Sequence, residues 1–349
     1  MPGRIETLSI DSAALTGNPL GDPARRTIPV WLPPSYDSAP QRRYPVVYWL
    51  AGFTGTGPTL FQGTPWQPSL GQRLDRLADS GAMGEVIVVA PDCFNRYGGS
   101  QYLDSPATGR YQTHLCDEVV PNIDQRFRTT GTRAGRGIGG KSSGGYGALM
   151  LGMRRPDLFA AIASHAGDGY FELSILHDIP KVVRALRRHG GIAGFLRAFD
   201  AAASHRSDDI TTMMMLAMGA AYAPDPAQPL GFALPFNLET GELDDGVWRR
   251  FKACDPVELV PTHAEALRSM ALIYLDAGTR DEWALDLAAR ILAARIRTLG
   301  IAVEHQEFDD GHMNTSYRYD VSLPLMAAAL GAPAPGPGQG GLPGEAATP

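Results

Sequence analysis

Cysteine is scarce in this chain, and long apolar runs are missing altogether. The three cysteines among 349 residues, Cys93, Cys116 and Cys254, lie far apart and form no Cys-x-x-Cys pair. This spacing argues against a disulfide framework or a zinc site and predicts buried thiols. No run approaches the roughly 20 apolar residues of a membrane-spanning helix. The stretch from Met1 to Thr7 lacks the apolar core of a secretory signal, so we expect a cytoplasmic protein.

A strong positive charge is also absent. The formal net charge of −6 gives no electrostatic reason to expect a nucleic acid or an anionic membrane as partner. With 44% hydrophobic and 19% charged residues, the composition is typical of a soluble globular protein with a large core. We therefore expect a small-molecule substrate and no nucleic-acid partner, while a homo-oligomer stays open.

Short apolar runs alternate with amphipathic stretches along most of the chain. The strands predicted from these runs are Thr27–Leu32, Pro45–Leu50, Val86–Ala90, Met270–Leu275 and Ile301–Phe308, the last as an edge strand. The predicted helices between them are Leu70–Ala78, Leu115–Phe127 with a kink at Pro121, Gly145–Arg155 and Glu282–Leu299. This alternation predicts the α/β class, with a mostly parallel central sheet flanked by helices.

One long segment interrupts the alternation. Residues from about 170 to 267 are rich in helix and then in proline and glycine, which predicts a helical cap inserted into a single domain of residues 1–331. The segment holds a methionine cluster that fits either core packing or an adaptable pocket wall, namely Met213, Met214, Met215 and Met218. The proline- and glycine-rich tail, residues 332–349, is expected to be disordered.

The stretch from Gly140 to Gly145, Gly-Lys-Ser-Ser-Gly-Gly, fits two motifs. As Gly-x-Ser-x-Gly it is a nucleophile elbow, a tight turn from strand to helix that presents Ser142. Extended upstream to Gly135, it also fits Gly-x-x-x-x-Gly-Lys-Ser, the loop that binds phosphate in nucleotide-binding proteins. In the first motif Ser142 is a covalent catalyst, and in the second it binds magnesium.

The flanking sequence favours the elbow. A phosphate-binding loop follows an apolar strand, and the residues from Arg128 to Ala134 are not apolar. The strand before the elbow, Arg136 to Gly139, is also weak, so this comparison alone does not decide. Downstream, Asp281 and His312 follow two predicted strands, which gives the order serine, aspartate, histidine found in α/β hydrolases. A phosphate-loop NTPase remains the alternative from another class.

Together these motifs resemble the esterase D family of α/β hydrolases, a group that includes S-formylglutathione hydrolases, enterochelin esterases, feruloyl esterases and mycolyltransferases. The resemblance covers about residues 27–312 without most of the insertion. It departs from the family pattern at Ala51, where many members have histidine. The residues that carry it are Val30–Tyr36, Tyr44–Phe53, the elbow with Gly147–Leu149 and Arg155–Phe159, Gly278–Asp281 and Asp310–His312.

The resemblance implies an α/β-hydrolase fold and a serine hydrolase that cleaves carboxylic esters or thioesters through an acyl-enzyme, with no metal or organic cofactor. Ser142 is then the nucleophile, His312 the general base, and Asp281 the group that orients His312. The oxyanion hole is expected to consist of the backbone N–H groups of Phe53 and Ser143. An acyltransferase using the same triad is the alternative within this mechanism.

Several neighbouring residues compete for these roles. Ser143 as nucleophile would have Lys141 instead of glycine two positions earlier, which does not fit the elbow. Asp276, at a strand end, could replace Asp281. His165 ends an apolar strand and fits either a place near the site or a satisfied core position. We assign no role to Lys141.

Two further expectations concern the surroundings of the site. The loop from Asp92 to Tyr102 follows a predicted strand and is expected to border the pocket. Histidines in helical or polar contexts, His114 among them, are expected at the surface.

Overall fold

A mostly parallel, eight-stranded sheet forms the centre of the structure, a computed structural model that describes residues 2–332. The strand order is β1-β2-β4-β3-β7-β8-β9-β10, with β1 and β2 antiparallel to their neighbours and all later pairs parallel. β5 and β6 form a separate antiparallel pair. The strands are β1 (Arg4–Asp11), β2 (Arg25–Leu32), β3 (Val46–Leu50), β4 (Ile87–Val89), β5 (Asp104–Ser105), β6 (Gly109–Arg110), β7 (Arg136–Lys141), β8 (Ala161–His165), β9 (Leu272–Gly278) and β10 (Glu304–Phe308).

Helices cover both faces of this sheet, as the predicted α/β-hydrolase fold requires. The helices are α1 (Gly57–Leu60), α2 (Leu70–Asp79), α3 (Tyr111–Thr113), α4 (Val120–Arg126), α5 (Ser143–Arg154), α6 (Phe171–Ser174), α7 (Ile179–Arg188), α8 (Ile192–Ala201), α9 (Ser207–Tyr222), α10 (Asp245–Lys252), α11 (Pro256–Leu259), α12 (Ala264–Arg268), α13 (Leu285–Thr298) and α14 (Tyr319–Ala329). Helices α6 to α12 all lie between β8 and β9 in sequence, where the cap insertion is predicted.

Strand β3 shows how the sequence builds the two-sided core. All five of its residues are buried. Because successive side chains of a strand point to opposite faces, Tyr48 joins the core under α5 while Val47 and Trp49 join the core under α2 and α14. A strand covered on both faces has no polar side to alternate, which is why the sequence signal is a continuous apolar run.

Strand β7 was weakly predicted because three of its six residues are glycine. It lies in the middle of the sheet, between β3 and β8. A Cβ on Gly139 would lie 2.7 Å from the Trp49 ring, and one on Gly137 would lie 2.8 Å from Met326 Cε. Large side chains of neighbouring elements therefore fill the space that β7 leaves, and the strand cannot show the apolar pattern of its neighbours.

The predicted helix over Leu115–Phe127 is two structures. A π-helical stretch over His114–Val119 precedes α4, and Pro121 lies in the first turn of α4. Proline has no backbone N–H to donate to the preceding turn, so the helix changes its hydrogen-bond pattern there.

The prediction that His114 lies at the surface is wrong. Its side chain is fully buried, and Nδ1 lies 2.9 Å from Glu118 Oε2. Burial lowers the pKa of His114 against the opposing effect of Glu118. Glu118 also accepts hydrogen bonds from the Ser12 hydroxyl and the Ala14 backbone, so this pair fastens the N-terminal segment to the π-helical stretch.

Within residues 2–332, no helix is long and apolar enough to cross a membrane. The prediction of a disordered tail covers residues 332–349, of which 333–349 lie outside the described part of the chain.

Candidate active site

Ser142 occupies the sharp turn between β7 and α5. Its backbone has φ 58° and ψ −128°, a conformation that costs energy for any residue with a Cβ. A Cβ on Gly140 would lie 2.6 Å from the Leu50 carbonyl oxygen, and one on Gly144 would lie 2.2 Å from it. A turn this tight therefore requires glycine at both positions. The glycines of the motif thus permit the close approach of β3, and Ser142 is held at the carboxyl edge of the sheet.

This geometry excludes the phosphate-loop alternative. Residues Arg136–Lys141 form β7, with the registers of both neighbouring strands continuous along them. A phosphate-binding loop needs these backbone N–H groups free to face a ligand. Since the sheet already uses this stretch of backbone, Gly135 to Ser142 cannot fold around a phosphate.

Asp281 and His312 meet from two different loops. Asp281 follows β9, His312 follows β10, and Asp281 Oδ2 lies 2.8 Å from His312 Nδ1. The other carboxylate oxygen, Oδ1, accepts the Trp283 backbone N–H at 2.9 Å. The Trp283 ring packs edge-on against the imidazole at 4.9 Å. These contacts leave one orientation for the His312 ring.

Backbone contacts fix the two loops to each other. The His312 backbone N–H donates to Glu282 Oε2 at 2.8 Å, so the residue after Asp281 holds the loop of His312. Gly278 is required here, because a Cβ would lie 2.3 Å from the Asp310 carbonyl oxygen. The aspartate and the histidine are therefore positioned by one interlocked pair of loops.

Ser142 and His312 line the same pocket. No hydrogen bond from Ser142 Oγ occurs among the described residues. Hydrogen bonds of this kind are often long in an unliganded site and tighten around the substrate.

Two backbone N–H groups are available beside Ser142. Ser143 is the first residue of α5, and N–H groups in a first helical turn have no acceptor within the helix. Phe53, in the loop after β3, donates no backbone hydrogen bond within residues 2–332. The Ser143 hydroxyl is buried and does not line the pocket, so it cannot act as the nucleophile.

The loop from Asp92 to Tyr102 packs against the loop after β3 that contains Phe53. The Tyr102 hydroxyl donates to the Ala51 carbonyl at 2.6 Å, and the Thr54 N–H donates to the Gly98 carbonyl at 2.8 Å. None of its residues line the pocket, contrary to the sequence-based expectation. The loop instead fixes the backbone on both sides of Phe53.

The pocket has a volume of about 440 Å³. Helix α9 forms one wall, and both expectations for its methionines are met by different members. Met214 and Met218 line the pocket, whereas Met213 and Met215 are buried in the core. The lining residues are Gly52, Phe53, Thr54, Lys141, Ser142, Asp168, Ser174, Ser207, Ile210, Thr211, Met214, Met218, Trp283, Leu285, His312, Met313 and Tyr319.

Two charged residues that line the pocket, Lys141 and Asp168, were not predicted as part of the site. Lys141, to which no role was assigned, faces the pocket, and burial lowers its pKa against the opposing charges of Asp281 and Glu282. Asp168 lies in the loop after β8, and burial raises its pKa to about 7. A polar residue three positions after a buried strand was the available signal for Asp168, since ligands bind at carboxyl ends of parallel strands.

Asp276 does not compete with Asp281 for His312. Its Oδ1 lies 2.7 Å from His165 Nδ1, and Arg318 Nε donates to its Oδ2 at 2.9 Å. His165 Nε2 in turn lies 2.7 Å from the Ser322 hydroxyl on α14. Burial opposes ionisation, but His165 and Arg318 outweigh it, so the pKa of Asp276 is lowered. This network is buried outside the pocket, and His165 is a satisfied core residue.

Comparison with known proteins places this geometry in a family. The sequence model of the family described as "Putative esterase" matches residues 23–324. A bifunctional endo-1,4-beta-xylanase/feruloyl esterase of Xylanibacter ruminicola is 29% identical over 167 residues. That match covers 46% of this chain and 22% of the relative, so the chain spans about a fifth of the length of this curated protein.

Solved structures show the same fold at low sequence identity. A ferulic acid esterase superposes with a TM-score of 0.63 at 21% identity, covering 94% of this chain and 99% of the other. An S-formylglutathione hydrolase from Agrobacterium tumefaciens gives 0.57 at 18% identity, covering 94% and 96%. The fluorophosphonate-binding serine hydrolase F of Staphylococcus aureus gives 0.58 at 13%, covering 94% and 99%.

The family model covers most of the chain, and each of these structures superposes on more than nine-tenths of it. The chain therefore has the α/β-hydrolase fold and belongs to the family described as "Putative esterase".

Proposed function

We propose that this protein is a serine esterase that cleaves small carboxylic esters through an acyl-enzyme on Ser142. The observation that carries the proposal is the backbone of Ser142, held at φ 58° in a pocket that it shares with His312, whose Nδ1 is paired with Asp281. A serine hydroxyl is a weak nucleophile at neutral pH and needs an adjacent base. The pocket volume of about 440 Å³ suits a small-molecule ester.

In the first half-reaction, Ser142 Oγ attacks the ester carbonyl carbon and passes its proton to His312 Nε2. Asp281 holds the opposite nitrogen, Nδ1, and stabilises the imidazolium that forms. The negative charge that develops on the carbonyl oxygen is stabilised by the backbone N–H groups of Phe53 and Ser143. His312 then protonates the leaving alcohol, and the acyl group stays on Ser142.

In the second half-reaction, water replaces the alcohol. His312 takes a proton from water as it attacks the acyl carbon, and it returns that proton to Ser142 Oγ when the acid leaves. An acyltransferase would use an alcohol at this step, and a thioesterase would release a thiol in the first. The residues of the site serve all three, and hydrolysis of oxygen esters is the member of this set that the family description supports.

The helices between β8 and β9 act in this proposal as the predicted cap, about residues 170–267. Ser174 of α6 and Ile210, Thr211, Met214 and Met218 of α9 line the pocket that contains Ser142. Substrate preference is therefore assigned to the cap wall, and the chemistry to the loops at the sheet edge.

A fluorophosphonate probe tests the assignment, because it phosphonylates an activated serine and the adduct adds a defined mass. We expect one probe per chain in the wild type and none in Ser142→Ala. The matched control is Ser143→Ala, which keeps its backbone N–H and should keep the label. Labelling that survives Ser142→Ala, or no labelling of a folded wild type, would overturn the proposal.

A further inference from the structure

The pocket contains a buried acid that the proposed mechanism does not use. Asp168 is only 7% exposed, yet its side chain lines the pocket. Its side-chain contact is long: the Gln101 amide nitrogen lies 3.5 Å from Oδ2. Within residues 2–332 no arginine, lysine or histidine forms an ion pair with this carboxyl group.

Such a group is costly unless something pairs with it. A carboxylate removed from water without a partner loses its hydration and gains nothing in return. The other buried aspartates of this chain that flank the site are all paired. Asp281 binds His312, Asp276 binds His165 and Arg318, and Asp255 accepts backbone N–H groups including that of Phe171. Asp168 is the exception, and it faces the cavity.

The protein maintains this arrangement with strained backbone. Gln101 and Tyr102 both have positive φ, 51° and 55°, although neither is glycine. Gln101 is 1% exposed, and its amide oxygen has no hydrogen-bond partner within the described residues. Ala166, two residues before Asp168, also has a positive φ, 43°. Strain gathered at one place is typical of a functional site.

Asp168 can be placed relative to helix α9, which forms one wall of the pocket. Ser207, Ile210, Thr211, Met214 and Met218 line the pocket from α9, and the span from 207 to 218 is about 16 Å at 1.5 Å per residue. Tyr222, one turn further along α9, is close enough to Asp168 for the carboxyl to affect its pKa. Asp168 therefore lies near the end of α9 that carries Met218, away from the hydroxyl residue Ser207 at the other end of this wall.

We propose that Asp168 is a specificity-determining residue that accepts a hydrogen bond from a hydroxyl or ammonium group of the ester substrate. A hydroxyl or ammonium donor is the shared chemistry that would satisfy a buried carboxyl whose one side-chain contact is long and uncharged. The local charge agrees, because Asp281 lies near Asp168, and the charges of Asp281 and Glu282 act on Lys141, the cation among the lining residues. This inference rests on the proposed esterase function and extends it to a substrate class.

The test is a panel of ethyl esters with straight acyl chains of five to eight carbons that end in methyl, hydroxyl or ammonium. Acetate esters of alcohols with the same three ends cover the other side of the scissile bond. We expect a hydroxyl or ammonium end to raise kcat/KM over methyl by roughly tenfold at the best length, in line with one hydrogen bond to a charged group. Asp168→Ala should abolish this preference.

The Asp168→Asn variant and the pH dependence of the preference distinguish an ammonium donor from a hydroxyl donor. If the donor is ammonium, Asp168→Asn loses the preference, and in the wild type the preference grows from pH 6 to pH 8 as Asp168 ionises. If it is hydroxyl, Asp168→Asn keeps most of it through its amide oxygen. The titratable groups around Asp168 are Asp281, Tyr146 and Tyr222, and Lys141 and His312 line the same pocket.

The matched control is Asp286→Asn, since Asp286 is also 7% exposed but does not line the pocket. It should leave all the ratios between end groups unchanged. A wild type that prefers methyl at every length, or a preference unchanged within twofold in Asp168→Ala, would overturn the inference. Failure of the esterase proposal looks different, since then neither methyl-ended esters nor the fluorophosphonate probe would react.

Discussion

At the scale of single residues, two aspartate–histidine pairs lie near the carboxyl edge of the sheet. In one pair His312 lines the pocket and Asp281 is buried behind it, whereas Asp276 with His165 is enclosed by Tyr274, Arg318 and Ser322. Both pairs are short and buried, so composition and distance do not distinguish them. Access does, because His312 lines the pocket of about 440 Å³, whereas Asp276 borders a cavity of only about 10 Å³ that an ester cannot enter.

Asparagine substitutions should therefore have different effects on the two pairs. Asp281→Asn keeps the shape but favours the wrong His312 tautomer, and we expect kcat to fall by about 10³–10⁴-fold with a small change in melting temperature. Asp276→Asn breaks a buried network, and we expect a loss of about 3–5 kcal/mol in stability and a smaller loss of kcat in the folded fraction. Kinetics and thermal melts on both variants check this.

Exchange of the two effects would contradict the assignment. If Asp276→Asn abolished turnover while Asp281→Asn only lowered stability, the orienting acid would be Asp276. Asp310→Asn is a suitable control, since Asp310 lies in the loop of His312 but, among residues 2–332, its carboxylate accepts hydrogen bonds only from the Gly311 N–H and the Tyr317 hydroxyl.

Asp168 links the site to the pH dependence of stability. Burial raises its pKa from 3.8 to about 7, so the folded protein keeps this proton where the unfolded chain has released it. The free energy of unfolding therefore falls as pH rises from about 4 to 7. Asp168→Asn removes this loss. We expect it to be more stable than the wild type above pH 7, by at most about 4 kcal/mol at about 1.4 kcal/mol per pKa unit, and equally stable near pH 3.

Denaturant unfolding of both proteins at several pH values measures this difference. A wild type that is more stable than Asp168→Asn at pH 8 would show that a partner stabilises the ionised carboxyl. The gain in stability expected for Asp168→Asn fits a role in binding, since functional groups often lower the stability of the unliganded protein.

At the scale of elements, β7 shows what glycine does in a central strand. Gly139 faces the rigid Trp49 ring, and Gly137 faces the flexible end of Met326. We expect Gly139→Ala to destabilise the protein by about 1–3 kcal/mol and Gly137→Ala by less, because a methionine end can move and an indole cannot. Urea unfolding compares the two directly, and equal losses would show that the space around β7 is not set by these side chains.

Two methionines of helix α9 allow an effect on packing to be distinguished from an effect on substrate preference. Met213 and Met218 have nearly the same exposure, 4% and 3%, but only Met218 lines the pocket. Both alanine variants should lose about 2–5 kcal/mol of stability. Only Met218→Ala should shift the preferred acyl or alcohol length upwards, which kcat/KM values over an ester series would reveal. A shift of the same size in Met213→Ala would remove Met218 as a pocket determinant.

The elements themselves were predictable where one pattern dominated. Helix α2 was predicted over Leu70–Ala78 and spans Leu70–Asp79, because its apolar face and polar face are distinct. Strand β1 was missed, since Arg4–Asp11 is an edge strand with only two buried residues. The antiparallel start of the sheet, β1-β2-β4, depends on pairings between distant residues that no local pattern records.

At the scale of the whole molecule, the order of motifs carried more information than any one motif. The sequence placed Ser142, Asp281 and His312 after three strands, and the structure brings those strand ends to one edge of the sheet. The fold and the family were predicted because parallel strands direct their following loops to the same side. The catalytic roles of these residues remain predictions.

The sequence could not supply the inner surface of the pocket. Lys141 and Asp168 face a cavity that exists only once α9 crosses the sheet edge, and their facing directions depend on turns at Ser142 and Ala166. Local sequence reports a charge, but burial of that charge depends on residues about 40 to 70 positions away, such as Gln101 and Thr211.

The most direct test of the account is to trap the acyl-enzyme. The protein is mixed with an activated ester such as p-nitrophenyl acetate, quenched in acid during turnover, digested and mapped by mass. The account predicts one acetyl group per chain, on Ser142, and none in Ser142→Ala, which should also lose at least about 10⁴-fold in kcat. An acyl group on another residue, or turnover that persists in Ser142→Ala, would contradict it.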